Sequence, residues 1–540
     1  MSLTVNDMTV NESLPVPTAD PSRPSSGAAS GQQRVPGPRP TGSPPAGRLP
    51  ADPGTERMTP RQRLVLVLLL GTQFMLAIDF SILNVALPSI GRGVDLGDRD
   101  LQWIATAFAL PSAGLTLLFA RVADLTGRRR LLLAGLVLLV AASLLGGFST
   151  NPTELLIARV GQGLAAAIAT PAALSLLVIS FPEGPVRQRA LSLNGALLPA
   201  GFTIGALVGG LLTGYLSWRW AFLLNVPVAL VIILLAPRVL TAERGGADGR
   251  LDVPGAVTVT AGLVAFVYGI SRAGEEGWSD AWVWAAIGVG VVLLGAFGLI
   301  ERTSPHPLAS LDVLRLRHVG WGNAGGLGIF ALGSSIVFMM TLYLQQVLHY
   351  SAVTTGLIFG VPGVAAFSAG MLGPRLLGIM PSRLVLVLGL LLQGLCAFGL
   401  VFAGDQRGSL GLVLAASAVG FFGHACGIVG YLVTATSGLP DERQGLATGL
   451  TTMTQQIGLT LGIPVLSAVA NARTSALTHA GGHSATSATL GGIRLALGVN
   501  AAVTVAVAAL VATFLLRRGR AAAAAEAEAV AAPAWDGAEA

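Results

Sequence analysis

Three observations predict an all-α polytopic membrane protein with fourteen transmembrane helices. The chain of 540 residues is 53% hydrophobic and only 11% charged, with a mean hydropathy of +0.71. A soluble domain carries roughly a quarter charged residues, so most of this surface must face lipid. The apolar runs recur at about the 20 residues that a helix needs to cross the hydrocarbon core. They lack the alternation over about 10 residues that a transmembrane β-barrel requires. Finally, the arginines concentrate in alternate links between the runs, as the positive-inside bias demands.

Residues 1 to about 60 are rich in Pro, Ser, Gly and Arg, with no apolar core and no signal-peptide run. They read as a disordered cytoplasmic tail. The expected spans are roughly 64–87, 102–122, 131–149, 154–178, 191–214, 221–240, 253–271, 282–300, 319–340, 353–373, 383–403, 410–431, 446–468 and 493–516. Residues 519–540 form a low-complexity cytoplasmic tail, helical or disordered. An even number of spans puts both tails on one side. With the N-tail inside, the inner links and the C-terminal end hold 18 arginines and the outer links 7, while the tail adds 7 more. The expected location is a bacterial plasma membrane with both termini cytoplasmic.

All 33 basic residues are arginine, so the lysine of a Walker-type phosphate loop is missing and ATP hydrolysis by that route is excluded. The absence of lysine alongside so much Ala, Gly, Leu and Val points to GC-rich codons. The basic balance is not a nucleic-acid footprint, because the arginines sit at span ends. Cys396 and Cys426 fall in apolar runs, and no metal spacing, catalytic triad or dinucleotide fingerprint is present. The expectation is a protein that is not an enzyme and has no cofactor and no metal.

The link Ala120–Arg130, ARVADLTGRRR, packs a carboxylate, a glycine turn and three arginines between two apolar spans. A degenerate copy, GPRLLGIMPSRLVLVLGL from Gly373 to Leu390, lacks the acid. Two six-span halves, 61–240 and 306–518, separated by two additional spans in 241–305, place these links at equivalent positions. Internal repeats of this kind mark transporters, with the substrate site between the halves.

Asp79 lies deep in the first span, within AIDFSILNVALPSI (Ala77–Ile90). A carboxylate there is costly unless neutral, paired or in a wet cavity, and its default reading is functional. The fourth span contains LLIARVGQGLAAAIATP, with Arg159, Gln162 and Gly163. Arginine does not give up its proton, so Arg159 can bind or tune an acid but cannot carry a proton; the alternative is an arginine snorkelling to the surface. In GFTIGALVGGLLTG, Gly201, Gly205 and Gly209 recur every four residues on one helix face with Gly210 beside them, which lets another backbone approach. WRWAFLLNVP (Trp218–Pro227) offers Trp218 and Trp220 as interfacial anchors with Arg219 at the headgroups.

In this order, these motifs resemble the fourteen-span drug:proton antiporters of the major facilitator superfamily, the EmrB/QacA-type branch, over about residues 61–520. The link matches the pattern Gly-x-x-x-Asp-x-x-Gly-Arg-x-Arg at Asp124, Gly127, Arg128 and Arg130, with Ala120 replacing the first glycine. The span-4 residues match Arg-x-x-Gln-Gly; in span 5, Ala206 stands where the branch has proline. The resemblance implies the major facilitator fold, a conformational latch at Asp124, and a cavity lined by spans 1 and 4 that couples Asp79 to Arg159. Topology and packing alone are the competing readings of the latch and of the glycine stripe. If spans 7 and 8 are an insertion, spans 9 and 12 line the opposite wall and offer Asn323, Tyr343, His424 and Tyr431. His424 is either a titrating group or a hydrogen-bonded structural histidine. Gln345, Gln346, Gln455 and Gln456 have no assignable role.

The implied activity is proton-coupled export of small lipophilic or amphiphilic compounds by alternating access, with Asp79 as proton carrier. Its partners are a small-molecule substrate, protons and the lipid bilayer, but no nucleic acid, and the chain acts as a monomer. Export of an amino acid, lipid or siderophore remains open. A membrane component served by a separate ATPase and a non-transporting sensor are the readings from other classes.

Overall fold

A computed structural model describes residues 58–97, 100–181, 185–241, 252–304, 311–437, 441–480 and 484–531. The tail expected over residues 1 to about 60 lies almost entirely outside them. The described residues belong to one compact unit, Glu56–Ala540.

Among the described residues every regular element is helical. In order these are α1 (Pro60–Gly93), α2 (Leu101–Thr126), α3 (Arg128–Phe148), α4 (Pro152–Ser180), α5 (Pro185–Tyr215), α6 (Trp220–Leu223), α7 (Asn225–Val239), α8 (Val253–Glu276), α9 (Ala281–Thr303), α10 (Leu311–Arg315), α11 (Arg317–Leu342), α12 (Ala352–Ile379), α13 (Ser382–Val401), α14 (Leu410–Thr436), α15 (Asp441–Ala480) and α16 (Ala485–Ala531). A π-helical turn, Tyr343–Val347, ends α11. Lipid offers the backbone no hydrogen bonds, so each apolar run closes its own as helix. Among the described residues, twelve helices are long and apolar enough to cross a membrane. The expected spans 2 and 5 are the helices α2 and α5, which are outside those twelve; the apolar stretch of α5, Ala200–Tyr215, is shorter. The alanine-rich C-terminal segment is helical as far as Ala531.

Polar link residues set the helix starts. Thr59 accepts from Gln62 N while the Gln62 side chain accepts from Thr59 N, a reciprocal cap on α1. Asn151, Asp252, Asp280 and Ser351 cap α4, α8, α9 and α12. Between α2 and α3 the whole link is Gly127, at φ 102°, a conformation that favours glycine.

Four apolar clusters organise the packing. One joins α1, α3, α4 and α7 around Leu69, Leu136, Leu139, Ala169 and Ile232. A second joins α11, α13, α14 and α16 around Ile329, Leu390, Tyr431 and Val511. The third lies at the end of the bundle opposite Gly127, where Ile82, Leu87 and Ile90 of α1 meet Ile336–Met340 of α11, Phe359 of α12 and Leu466 of α15. The fourth is built by α8, whose Val259, Leu263 and Val267 pack on Leu110 and Ala113 of α2 and on Leu450 and Met453 of α15. Thr260 lies so close to α2 that any Cβ at Gly114 would collide with it. Helix α8 therefore covers the seam between α2 and α15. Its hairpin partner α9 presents mostly exposed apolar residues, such as Val291, Val292 and Leu299.

Candidate functional site: a buried carboxylate

Asp79 is completely buried, and Arg159 is 1% exposed. The carboxylate accepts hydrogen bonds from Asn225 Nδ2 of α7, from Gln162 Nε2 at 3.1 Å and from Arg159 Nη1 at 3.4 Å. Gln162 Nε2 also reaches Ser143 Oγ of α3 at 3.1 Å. Arg159 does not snorkel. Its Nε donates to Ile104 O at 2.8 Å, its Nη1 to Gln162 Oε1 at 2.7 Å, and its guanidinium lies 4.6 Å from the Phe108 ring centroid. Three of its contacts are thus independent of Asp79. A buried ion pair with such support avoids an uncompensated charge, the costliest arrangement in a dry interior.

The local sequence explains the geometry. Arg159 and Gln162 are three residues apart, so they share a face of α4. At Gly163, on the same face, a Cβ would collide with Phe108 O, so glycine lets α4 close on α2. On the other side of α1, the α5 stripe does the same. A Cβ at Gly201 would come within 2.7 Å of the Ala77 Cβ, one at Gly205 within 2.9 Å of Ile78 O, and one at Gly209 within 2.6 Å of Ile82 O. Helix α1 is therefore held between α5 and α4, with Asp79 turned to α4. Gly210 does a different job: a Cβ there would come within 2.5 Å of Ala352 O, because α5 meets α12 at that point.

Two sequence readings change. Trp218 is not an interfacial anchor: it is buried against Gly93 and stacks edge-on with Phe222. Trp220 is exposed, and Arg219 lies over the Trp218 ring while donating to Ser149 O at 3.2 Å. Asn225, in the same motif, reaches the carboxylate; reading the motif as an anchor missed it. Its signal was a lone amide in an apolar run, which gives depth but no partner.

The remaining predicted residues separate. Arg130 is exposed, and the side chain of Asp124 lies outside the described residues. In the same link, Arg129 donates to Leu240 O at 2.9 Å beyond the end of α7. Asn323 and Tyr431 are buried in one hydrogen-bonded knot: Tyr431 Oη donates to Thr451 O at 2.8 Å and contacts Asn323 Oδ1 at 3.1 Å, and Thr454 Oγ1 donates to Asn323 Oδ1 at 2.8 Å. Tyr343 donates to Gly404 O at 2.6 Å, at the end of the bundle opposite Gly127. His424 is partly exposed and meets Gln393 of α13. The glutamines left without a role include two that join distant helices: Gln345 donates to Val85 O at 2.7 Å, and Gln456 donates to Ser112 Oγ.

Residues 69–463 match the model of the Major Facilitator Superfamily. The chain belongs to that superfamily. It is 36% identical to the cephamycin export protein of Amycolatopsis lactamdurans, over 78% of this chain and 88% of that one. It is likewise 36% identical to the puromycin resistance protein of Streptomyces alboniger, over 77% and 83%. Among solved structures, the POT family transporter PepTSo superposes with a TM-score of 0.63 at 14% identity, covering 85% of this chain and 98% of that one, a likeness of fold. This superfamily member is thus a multi-pass membrane protein whose relatives include a cephamycin export protein and a puromycin resistance protein.

Proposed function

We propose that the chain is a proton-coupled antiporter that exports small lipophilic or amphiphilic compounds across a bacterial plasma membrane by alternating access. The observation that carries this reading is the Asp79–Arg159 pair, a full charge kept inside an apolar bundle. Besides Asp79, Arg159 has Ile104 O, Gln162 and the Phe108 ring as partners. Neutralising the carboxylate would leave the buried guanidinium with neutral partners only, a charge without its counter-ion, and so disfavour this arrangement. Protonation would then alter the hold of α1 on α4 and α7, and so bias one conformation over the other. Relatives that export cephamycin or confer puromycin resistance support export of small molecules.

In this reading α1–α7 and α11–α16 are the two moving halves, α8 and α9 are the inserted pair, and α2 and α5 complete fourteen spans. The arginine count puts the Gly127 link inside. The cluster around Ile90 and Met340 and the close approach of Gly210 to Gly356 then form an outer seal. Asp124 and its arginines are the inner latch. The test is export of a compound panel by inverted vesicles with and without an uncoupler. Uncoupler-sensitive accumulation is expected; accumulation that needs ATP and ignores the uncoupler would replace antiport with a separately energised pump.

A further inference from the structure

Towards the C-terminal end of the chain, His424 offers a ring nitrogen for which the described residues supply no partner. Gln393 is 1% exposed, and its Nε2 lies 3.4 Å from Ile329 O. A carbonyl only accepts, so this contact fixes the amide orientation and turns Oε1 towards His424 Nδ1, 2.9 Å away. Nδ1 must then be the donor, and in the neutral ring Nε2 carries a free lone pair. Among the described residues Nε2 has no partner, and it is not among the buried unpaired atoms, so it remains accessible.

The ring sits on the inward face of α14. His424 lies on the same face of α14 as Ser417, Phe421 and Tyr431, all buried. Space for the ring is made by Gly333 of α11, where a Cβ would come within 2.5 Å of the imidazole Cε1. The surround is aromatic: Phe330 meets the ring edge-on, and Phe421 lies 6.0 Å from it. Phe421 in turn stacks on Phe202 of α5, which is partly exposed.

We propose that His424, oriented by Gln393, is a substrate-recognition residue that selects flat aromatic compounds carrying an N–H or O–H donor. The inference rests on the export reading and deepens it. The aromatic rings supply contact area, and the single acceptor supplies selectivity. A site built to bond a donor rejects the analogue lacking it, because its own polar group is then left unpaired.

The test uses the full chain in lipid nanodiscs and two probes, 2-naphthol and its methyl ether, 2-methoxynaphthalene. The ring system is the same and only one carries the donor. Wild type should bind the naphthol about tenfold more tightly. His424→Phe should bring the naphthol down to the affinity of the ether, whose own binding shows that the bundle is intact. His424→Gln should restore part of the preference, and Gln393→Met, which frees the tautomer, should reduce it. Equal affinities in wild type, no saturable binding of either probe, or a preference that survives His424→Phe would each overturn the proposal. Loss of uncoupler-sensitive export with the preference intact would instead sink antiport and leave the recognition site standing.

Discussion

Two clusters of the bundle bury polar groups in contrasting ways. In the first, Asp79 and Arg159 form a charged pair tied to Gln162, Asn225 and Ser143, so α1, α3, α4 and α7 meet at one carboxylate. In the second, the buried knot of Asn323, Tyr431 and Thr454 and the pair His424–Gln393 contain no carboxylate and no arginine. A proton can neutralise the carboxylate of the first cluster, whereas the second has no carboxylate and only the imidazole of His424. In the proposed reading, the charged cluster serves coupling and the His424–Gln393 pair serves recognition.

The largest expected effect comes from stranding the charge. Arg159→Met leaves Asp79 buried without its cation, a loss of about 3–5 kcal/mol when the acid is ionised. Export should be abolished and thermal unfolding lowered. The double variant Asp79→Asn/Arg159→Met should be less destabilised than the two single losses add up to, a coupling that a double-mutant cycle reads directly. Strictly additive losses would break the paired account.

Gly210 and Gly205 sharpen the comparison between motion within and between halves. Gly205→Leu wedges α5 from α1 inside one half and should cost about 1–3 kcal/mol of stability. Gly210→Leu wedges α5 from α12, so it should open the end opposite Gly127, read as increased labelling of a cysteine placed at Val353, with export lost. Unchanged labelling would deny that Gly210 seals that end.

Tyr431→Phe removes one hydroxyl from the neutral knot, and Asn323 keeps Thr454. A loss of about 0.5–1.5 kcal/mol in stability, with uncoupler-sensitive export retained, is expected. Abolished coupling would move the proton site into the second cluster. The smallest effect lies outside both clusters. Asp280 caps α9 through Trp282 N and pairs with Arg272, and these bonds, Trp282 first, hold its carboxyl below the ordinary range. Its contribution is present above the unfolded-state value of about 4 and is lost as pH falls through the lower folded value. Asp280→Asn should abolish that acid-side dependence and leave export at neutral pH unchanged.

Much of this was legible because membrane physics is restrictive. Apolar run length gave the helices, and the span-4 spacing placed Arg159 and Gln162 on one face. The cost of a lone intramembrane acid singled out Asp79. The four-residue glycine period revealed the close face of α5, but not that Gly201, Gly205 and Gly209 serve α1 while Gly210 serves α12. Asn225, Ser143, Gln345 and Gln456 escaped for one reason. Each is a polar residue in a largely apolar helix, and its partner depends on the axial register of a helix far away in sequence. Trp218 was misplaced because aromatic residues near span ends serve both as lipid anchors and as packing against a glycine, here Gly93.

The division of labour between the two clusters is tested most directly by Asp79→Asn in proteoliposomes, with the same substrate followed under a pH gradient and under its own gradient alone. The account predicts that the variant loses accumulation driven by the pH gradient yet still exchanges substrate down its own gradient. Full pH-driven accumulation by Asp79→Asn would contradict it.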